Sequence, residues 1–306
     1  MNKIAFFFPG QGSQSVGMMA GFGDNPIIKS TFFEASDILK TDFWAMVTEP
    51  NDLLNLTQNT QPLMLTAGIA TWRAYQQAGG LQPSIFAGHS LGEYTALVAA
   101  NSISFSDALP LVKYRAEVMQ NAVPEGKGAM AAILGLDDAK VQAVCFEAAG
   151  DDVCQAVNLN SPGQVVIAGD SAAVGRAMEL AKTYGAKKVI ALTVSVPSHC
   201  SLMEPASDTL ADYLKSVSIQ APEIPVIHNA DVESYDEPEK IREALVRQLY
   251  LPVLWVDTVQ SIHAMGVDKY AECGPGKVLT GLVKRIVDGG VCTALTNDEA
   301  IIEFTK

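Results

Sequence analysis

Ser84-Ile85-Phe86-Ala87-Gly88-His89-Ser90-Leu91-Gly92-Glu93 is the stretch on which the reading of this chain turns. A short apolar strand, Ser84 to Ala87, ends at Gly88, and a helix is expected from Leu91 to about Ala100. Between them sits Gly-x-Ser-x-Gly. That spacing suits a serine on a sharp, strained strand-to-helix turn, because small residues two positions to either side let strand and helix approach while Oγ projects into a cleft. The turn also sets the serine at the positive end of the following helix, where a developing oxyanion is favoured. The five-residue pattern recurs by chance in many chains. Here the strand before it and the helix after it supply the structural context, and they mark Ser90 as a candidate nucleophile.

Outward from this turn, strands and helices alternate as in an α/β fold. Towards the N-terminus, Ile4 to Phe8 is an apolar run closed by Pro9-Gly10. It is too short for a signal-peptide core and reads as a buried strand. It leads into Gly10-Gln11-Gly12-Ser13. Helices are expected over Ile28–Leu39 and Gln61–Ala78, the second with Thr60 as cap, Pro62 in its first turn and Gly79-Gly80 as its stop. Another helix is expected from Ser106 to Asn121.

From about Gly128 the pattern becomes self-contained. Ala129–Leu134 reads as a strand, Asp137–Ala149 as a helix, and Cys154–Asn158 and Gln164–Ala168 as strands joined through Ser161-Pro162-Gly163. A helix over Ser171–Tyr184 and a strand over Lys188–Val194 complete the order βαββαβ, a ferredoxin-like unit. The expected architecture is therefore an α/β core, residues 1–125 and 196–306, with a subdomain inserted at 126–195. The core resumes with a helix from Ser201 to Val217, a strand near Val226 and a helix from Pro238 to Leu249. A helix over Val256–Met265, a strand over Lys269–Glu272, the turn Gly274-Pro275-Gly276 and a helix over Val278–Val287 follow.

Bulk properties bound the function. With 306 residues, 48 % hydrophobic and 18 % charged, the chain has the composition of an ordinary globular protein. Its net charge of −13 disfavours non-specific binding to nucleic acid or to an anionic membrane. No stretch approaches the roughly 18 consecutive apolar residues of a membrane span. The cysteines, at 145, 154, 200, 273 and 292, are odd in number and widely spaced, which argues against a disulfide framework or a zinc site and fits a cytoplasmic setting. A monomer is expected.

A serine nucleophile needs a base, and the chain offers His89, His199, His228 and His263. His89, next to Ser90 in sequence, should point away from Oγ, and His263 lies in a helical pattern among apolar residues. His228 ends a strand. His199, in Val196-Pro197-Ser198-His199, lies in a loop just before a helix, where α/β folds place catalytic groups. Position favours His199 and leaves His228 open.

Four motifs in order, Phe8-Pro9-Gly10-Gln11-Gly12-Ser13-Gln14, Gly88-His89-Ser90-Leu91-Gly92-Glu93-Tyr94, Val196-Pro197-Ser198-His199 and Gly274-Pro275-Gly276-Lys277-Val278-Leu279, give the chain a resemblance to the malonyl-CoA:acyl carrier protein transacylases of bacterial type II fatty-acid synthesis. The resemblance spans nearly the whole chain. It implies an α/β-hydrolase-like core with an inserted ferredoxin-like subdomain. It also implies Ser90 as nucleophile, His199 as base, and the backbone N–H groups of Gln11 and Leu91 as the oxyanion hole. Gln248 corresponds to the residue whose backbone carbonyl orients the histidine, so no aspartate is required. Arg115 corresponds to the arginine that pairs with the free carboxylate of malonate, a role suited to its planar fork. Gln61 and Asn160 resemble positions lining the acyl and pantetheine channel, and Ser198 should border the acyl pocket. Malonyl-CoA and acyl carrier protein are the implied partners, with no metal or redox cofactor. Since the carrier protein is acidic, Lys187-Lys188 and Lys284-Arg285 are candidate docking charges.

Three other readings compete. A phosphate-binding loop at Gly10-Gln11-Gly12 lacks the following Gly-Lys-[Ser/Thr]. An esterase or thioesterase on the same core would pass the acyl group to water, but for neutral acyl chains it has no use for a buried cation at position 115. A non-catalytic acyl-CoA sensor would need neither an elbow serine nor a base.

Overall fold

The computed structural model describes residues 3–193 and 196–306. Positions 1, 2, 194 and 195 lie outside them, among these the expected strand end at Val194 and the expected subdomain boundary at 195. The chain begins β1 (Lys3–Phe8), α1 (Pro26–Leu39), α2 (Phe43–Thr48), α3 (Thr57–Gln77), β2 (Ile85–Gly88), α4 (Leu91–Ala99) and α5 (Phe105–Ala122). There follow β3 (Gly128–Leu134), α6 (Asp138–Ala149), β4 (Cys154–Ser161), β5 (Gln164–Asp170), α7 (Ser171–Thr183) and β6 (Lys188–Ala191). The remainder is α8 (Glu204–Leu214), β7 (Val226–Ile227), α9 (Pro238–Gln248), α10 (Trp255–Ala264), β8 (Val267–Glu272), α11 (Val278–Ile286), β9 (Cys292–Ala294) and α12 (Asp298–Phe304).

Two sheets organise these elements. One has the order β7-β2-β1-β8-β9 and is parallel throughout. The other has the order β4-β5-β3-β6 and is antiparallel throughout. The continuous apolar run of β1 follows from its central place in the parallel sheet, where both faces are covered. Its side chains alternate between the two cores: Phe6 packs with Trp72, Tyr75 and Phe304 on one face, and Phe7 with Trp255 and Tyr270 on the other.

The second sheet is tied to the first body along β4. Leu159 N–H donates to the Val253 carbonyl at 3.0 Å, and Val253 N–H donates to Val157 O at 2.8 Å. Arg285 on α11 also reaches Gln164 on β5. This seam carries Asn158 and Asn160 to the C-terminal end of the parallel strands, where the elbow lies.

Several expected boundaries shift. α3 starts at Thr57, so Pro62 falls inside the helix and Thr60 is not its cap. The Thr60 hydroxyl instead donates to Leu54 O at 2.7 Å, tying the helix to the turn before it. α1 starts at Pro26 with Asn25 as its cap, Oδ1 accepting from Ile27 N–H at 3.0 Å. The helix expected over Ser201–Val217 is a 3-10 turn, Ser201–Met203, followed by α8. Among the described residues no helix is long and apolar enough to cross a membrane.

Candidate active site

The turn from β2 to α4 has the strained geometry that its glycines permit. Ser90 has φ 51° and ψ −111°, a left-handed backbone that a side chain rarely adopts. A Cβ on Gly92 would lie 2.0 Å from the Phe8 carbonyl oxygen, so helix α4 can press against the end of β1 only with glycine there. Gly10 is under the same constraint: its Cβ would lie 2.4 Å from His89 O. That close approach brings the Gly10-Gln11 backbone alongside the elbow. Gln11 and Leu91 both line the cavity at Ser90.

Ser90 Oγ lies 2.7 Å from His199 Nε2. His199 Nδ1–H donates to the Gln248 backbone carbonyl at 2.6 Å, which leaves the Nε2 lone pair facing the serine hydroxyl. The orienting group is thus a peptide carbonyl at the end of α9. His199 itself is held at φ 66°, with its N–H on Leu249 O at 3.0 Å. Burial, helped by the Arg115 cation, pushes its pKa down to about 3, so the imidazole is the neutral, proton-accepting form at ordinary pH.

Arg115, on α5, is 1 % exposed and has no carboxylate hydrogen-bonded to it among the described residues. Nη1–H donates to Gln61 Oε1 at 2.8 Å and Nη2–H to Gln248 Oε1 at 2.9 Å, while Nη2 stands 3.4 Å from Ser90 Oγ. The Tyr94 ring lies beneath the guanidinium, 5.3 Å from ring centroid to Cζ. Two neutral amides and a ring thus hold the fork, and Glu93 acts on it only across the Gln248 amide, with no direct ion pair. A cation buried this way calls for an anion from outside.

The cavity at Ser90 is small, ≈ 120 Å³, and Gln61, Arg115, His199 and Ser198 line it with Met119 and Met130. Asn160 sits one layer back, its Oδ1 2.8 Å from His89 Nε2, and the β4 residue that lines the cavity is Asn158. His228 is turned away from Ser90: its Nδ1–H donates to Glu93 Oε1 at 2.7 Å. His263 meets the Tyr270 hydroxyl at 2.8 Å. Lys187, Lys188, Lys284 and Arg285 are all exposed.

Sequence reasoning missed Asn158, Met119 and Met130 as lining, and Glu93, His228 and Asn229 as a buried polar cluster beneath the elbow. Glu93 stood in a quoted motif. Nothing local to Asn229 signals that its partners lie 139 and 141 positions away.

Chemically, the arrangement can take the proton of Ser90 as Oγ attacks a carbonyl carbon, and can hold an anion on the acyl group beside that carbon. These are the properties of an acyl-transferring enzyme, and comparison with known proteins agrees. Residues 5–300 match the acyl transferase domain family. The chain is 54 % identical over 303 residues to the malonyl CoA-acyl carrier protein transacylase of Salmonella typhimurium, covering 98 % of each. It is 44 % identical over 307 residues to the Bacillus subtilis protein of the same name, covering 99 % of this chain and 96 % of that one. An acyl-carrier-protein S-malonyltransferase from Burkholderia pseudomallei superposes with a TM-score of 0.97 at 56 % identity, covering 98 % of each chain. A malonyl-transacylase solved in complex with its type II PKS acyl-carrier protein also gives a TM-score of 0.97, at 49 % identity and 99 % coverage of each chain. The chain belongs to the acyl transferase domain family, among the malonyl CoA-acyl carrier protein transacylases.

Proposed function

We propose that this chain moves a malonyl group from malonyl-CoA to the phosphopantetheine thiol of acyl carrier protein, through a malonyl ester on Ser90. Oγ attacks the thioester carbon as its proton passes to His199 Nε2. The Gln11 and Leu91 amides receive the oxyanion. The C–S bond then breaks, coenzyme A takes the proton from His199, and malonyl-Ser90 remains. In the second half the carrier thiol gives its proton to His199 and attacks the ester, and Oγ leaves with that proton. Gln248 holds the imidazole through its carbonyl. No step calls for a metal or redox group.

The observation that carries this reading is the distance from Arg115 Nη2 to Ser90 Oγ, 3.4 Å. An acyl group on Oγ whose far end is a carboxylate one methylene beyond the carbonyl meets the guanidinium directly. An acetyl group leaves that cation unpaired. Gln61, which holds Nη1, becomes part of the acyl-binding wall, and Asn160 acts on the channel through His89.

The same reading takes residues 1–125 and 196–306 as an α/β-hydrolase-like core and 126–195 as an inserted ferredoxin-like unit. The strand order β4-β5-β3-β6 with antiparallel pairing supports it, since that is how a βαββαβ unit folds. The absence of disulfides among the described cysteines suits a reducing cytoplasm.

Initial rates measured over a grid of malonyl-CoA and carrier-protein concentrations test the function. Parallel double-reciprocal lines with malonyl-carrier protein as product are expected; intersecting lines, or release of free malonate as the main product, would contradict it.

The pH dependence follows from His199. An ordinary histidine is half protonated near pH ~6.5 and would lose roughly 30-fold in neutral form by pH 5. Because burial and the Arg115 cation penalise the protonated form, His199 stays a base well into acid. We expect kcat/KM for acylation at pH 5 to stay within about twofold of its pH 7 value. A tenfold fall in protein that circular dichroism shows to be folded would contradict this. For stability the sign is opposite in effect. The folded pKa lies below the unfolded one, so the unfolded chain binds the proton first. The contribution of His199 is full above pH ~6.5 and is lost progressively as pH falls towards the folded value of about 3.

A further inference from the structure

Strand β7 is only two residues long, and its ladder with β2 ends at the pair Ala87–Ile227. Beyond that pair β2 still has backbone groups to satisfy. Gly88 O and Ser90 N–H would face the next residues of β7 had it continued, but the chain turns there, with Val232 N–H returning to His228 O at 3.1 Å. The Asn229 side chain occupies the vacated place. Its Nδ2–H donates to Gly88 O at 2.7 Å and its Oδ1 accepts from Ser90 N–H at 2.7 Å. One primary amide thus supplies the donor and the acceptor that the backbone N–H and C=O of one further β7 residue would have supplied.

Ser90 is gripped on its other side as well. Its carbonyl accepts from Gln248 Nε2–H at 2.8 Å. The two clamps share an anchor: Glu93 Oε2 accepts from the Asn229 backbone N–H at 2.9 Å and from Gln248 Nε2–H at 3.0 Å. Glu93, Asn229 and Gln248 are all fully buried. Ser90 is a non-glycine residue at φ 51°, a conformation that persists only where surrounding contacts over-determine it.

We propose that Asn229 is a positioning residue for the nucleophile: its side-chain amide continues the sheet ladder past the end of β7 and holds the Ser90 backbone in the strained conformation that aims Oγ at His199. The inference rests on Ser90 being the acyl carrier. Asn229 touches neither substrate nor the reacting atoms. Its effect falls on the rate at which Oγ attacks, leaving malonyl-CoA binding and the Arg115 contact unaltered.

Two variants test this. In Asn229→Ala both hydrogen bonds go, and kcat for acylation should fall about 100-fold, the cost of misplacing a reacting group by about 1 Å. KM for malonyl-CoA and the malonyl-to-acetyl rate ratio should each change by less than about threefold. Asn229→Asp reads the geometry directly and stands by itself if the alanine variant does not fold. A neutral carboxylic acid can accept from Ser90 N–H and donate to Gly88 O, as the amide does; a carboxylate would set an oxygen anion against the Gly88 carbonyl. The titratable groups around this turn are Glu93, His228 and the Asp231–Arg247 pair, with His89, His199 and Arg115 in the cavity. Burial beside Glu93 favours the protonated form of the new side chain. Acylation by Asn229→Asp should therefore be at least tenfold faster at pH 5 than at pH 8, against a parent protein whose profile is flat. A folded Asn229→Ala with kcat within threefold of the parent, or an Asn229→Asp with the parent's flat profile, would overturn the proposal. Loss of malonyl transfer in the parent itself would count against the proposed function instead.

Discussion

Replacing Ser90 by alanine is expected to lower malonyl transfer by about four to six orders of magnitude, with the fold unchanged. Ser90 Oγ is the atom that faces the His199 lone pair at 2.7 Å, and without it the covalent route has no acceptor for the acyl group. What remains is the rate at which a thiol or water attacks malonyl-CoA in an intact oxyanion site, a background that active-site residues acting as a unit leave behind when one is removed. Folding should survive, because the hydroxyl is half-exposed to the cavity while the elbow is held by backbone groups: Ser90 N–H on Asn229 and Ser90 O on Gln248. Steady-state transfer and a thermal melt of the same sample check both halves. A variant that keeps more than about one per cent of the parent rate would remove Ser90 from the mechanism.

Arg115→Ala is expected to cut malonyl transfer by roughly 10²- to 4 × 10³-fold, on the basis of the ~3–5 kcal/mol lost when one partner of a buried, hydrogen-bonded charge pair is removed. Acetyl transfer should change by less than about tenfold, or rise. The asymmetry arises because no carboxylate is hydrogen-bonded to the guanidinium among the described residues: Gln61 and Gln248 hold it with neutral oxygens, Glu93 is reached only through the Gln248 amide, and burial pushes the arginine pKa down. A malonyl carboxylate relieves that burial penalty; an acetyl methyl group cannot. Arg115→Lys should recover little, since an ammonium cannot bond Gln61, Gln248 and a carboxylate in the plane of one fork. Rate constants for malonyl-CoA and acetyl-CoA measured side by side decide the matter, and equal losses for both would show that Arg115 does not read the carboxylate.

The sequence made the parts governed by local pattern legible. β1 announced itself as a buried strand through Ile4–Phe8, and the elbow through the glycines that flank Ser90. The order of elements from β3 to β6 could be read because the switches between periods of about 2 and about 3.6 are abrupt there. Boundaries failed where long-range packing outweighed local signals. Thr60-Gln61-Pro62 looks like a helix start, yet the chain is already helical at Thr57, and the Thr60 hydroxyl serves the preceding turn. α12 and β9 were not foreseen, being seven and three residues long and held by the core they cover.

At the site, His199 stood out by its place before a helix, but nothing local ranked it decisively above His228. In space the two separate cleanly: His199 reaches Ser90, whereas His228 reaches Glu93. The orienting group of His199 had no side-chain signature at all, since it is a peptide carbonyl. Asn229 was invisible for a related reason. It satisfies backbone groups of a distant strand, and a contact of that kind leaves no motif in the chain that makes it.

Whether Ser90 carries the malonyl group between two thiols is decided by intact-mass measurement. The protein is incubated with malonyl-CoA alone, its mass recorded, and holo acyl carrier protein then added. One malonyl adduct is expected that persists in the absence of an acceptor, disappears when the carrier is added with matching gain of mass on the carrier, and never forms in Ser90→Ala. An adduct that decays to free malonate without the carrier, or no adduct while transfer proceeds, would contradict it.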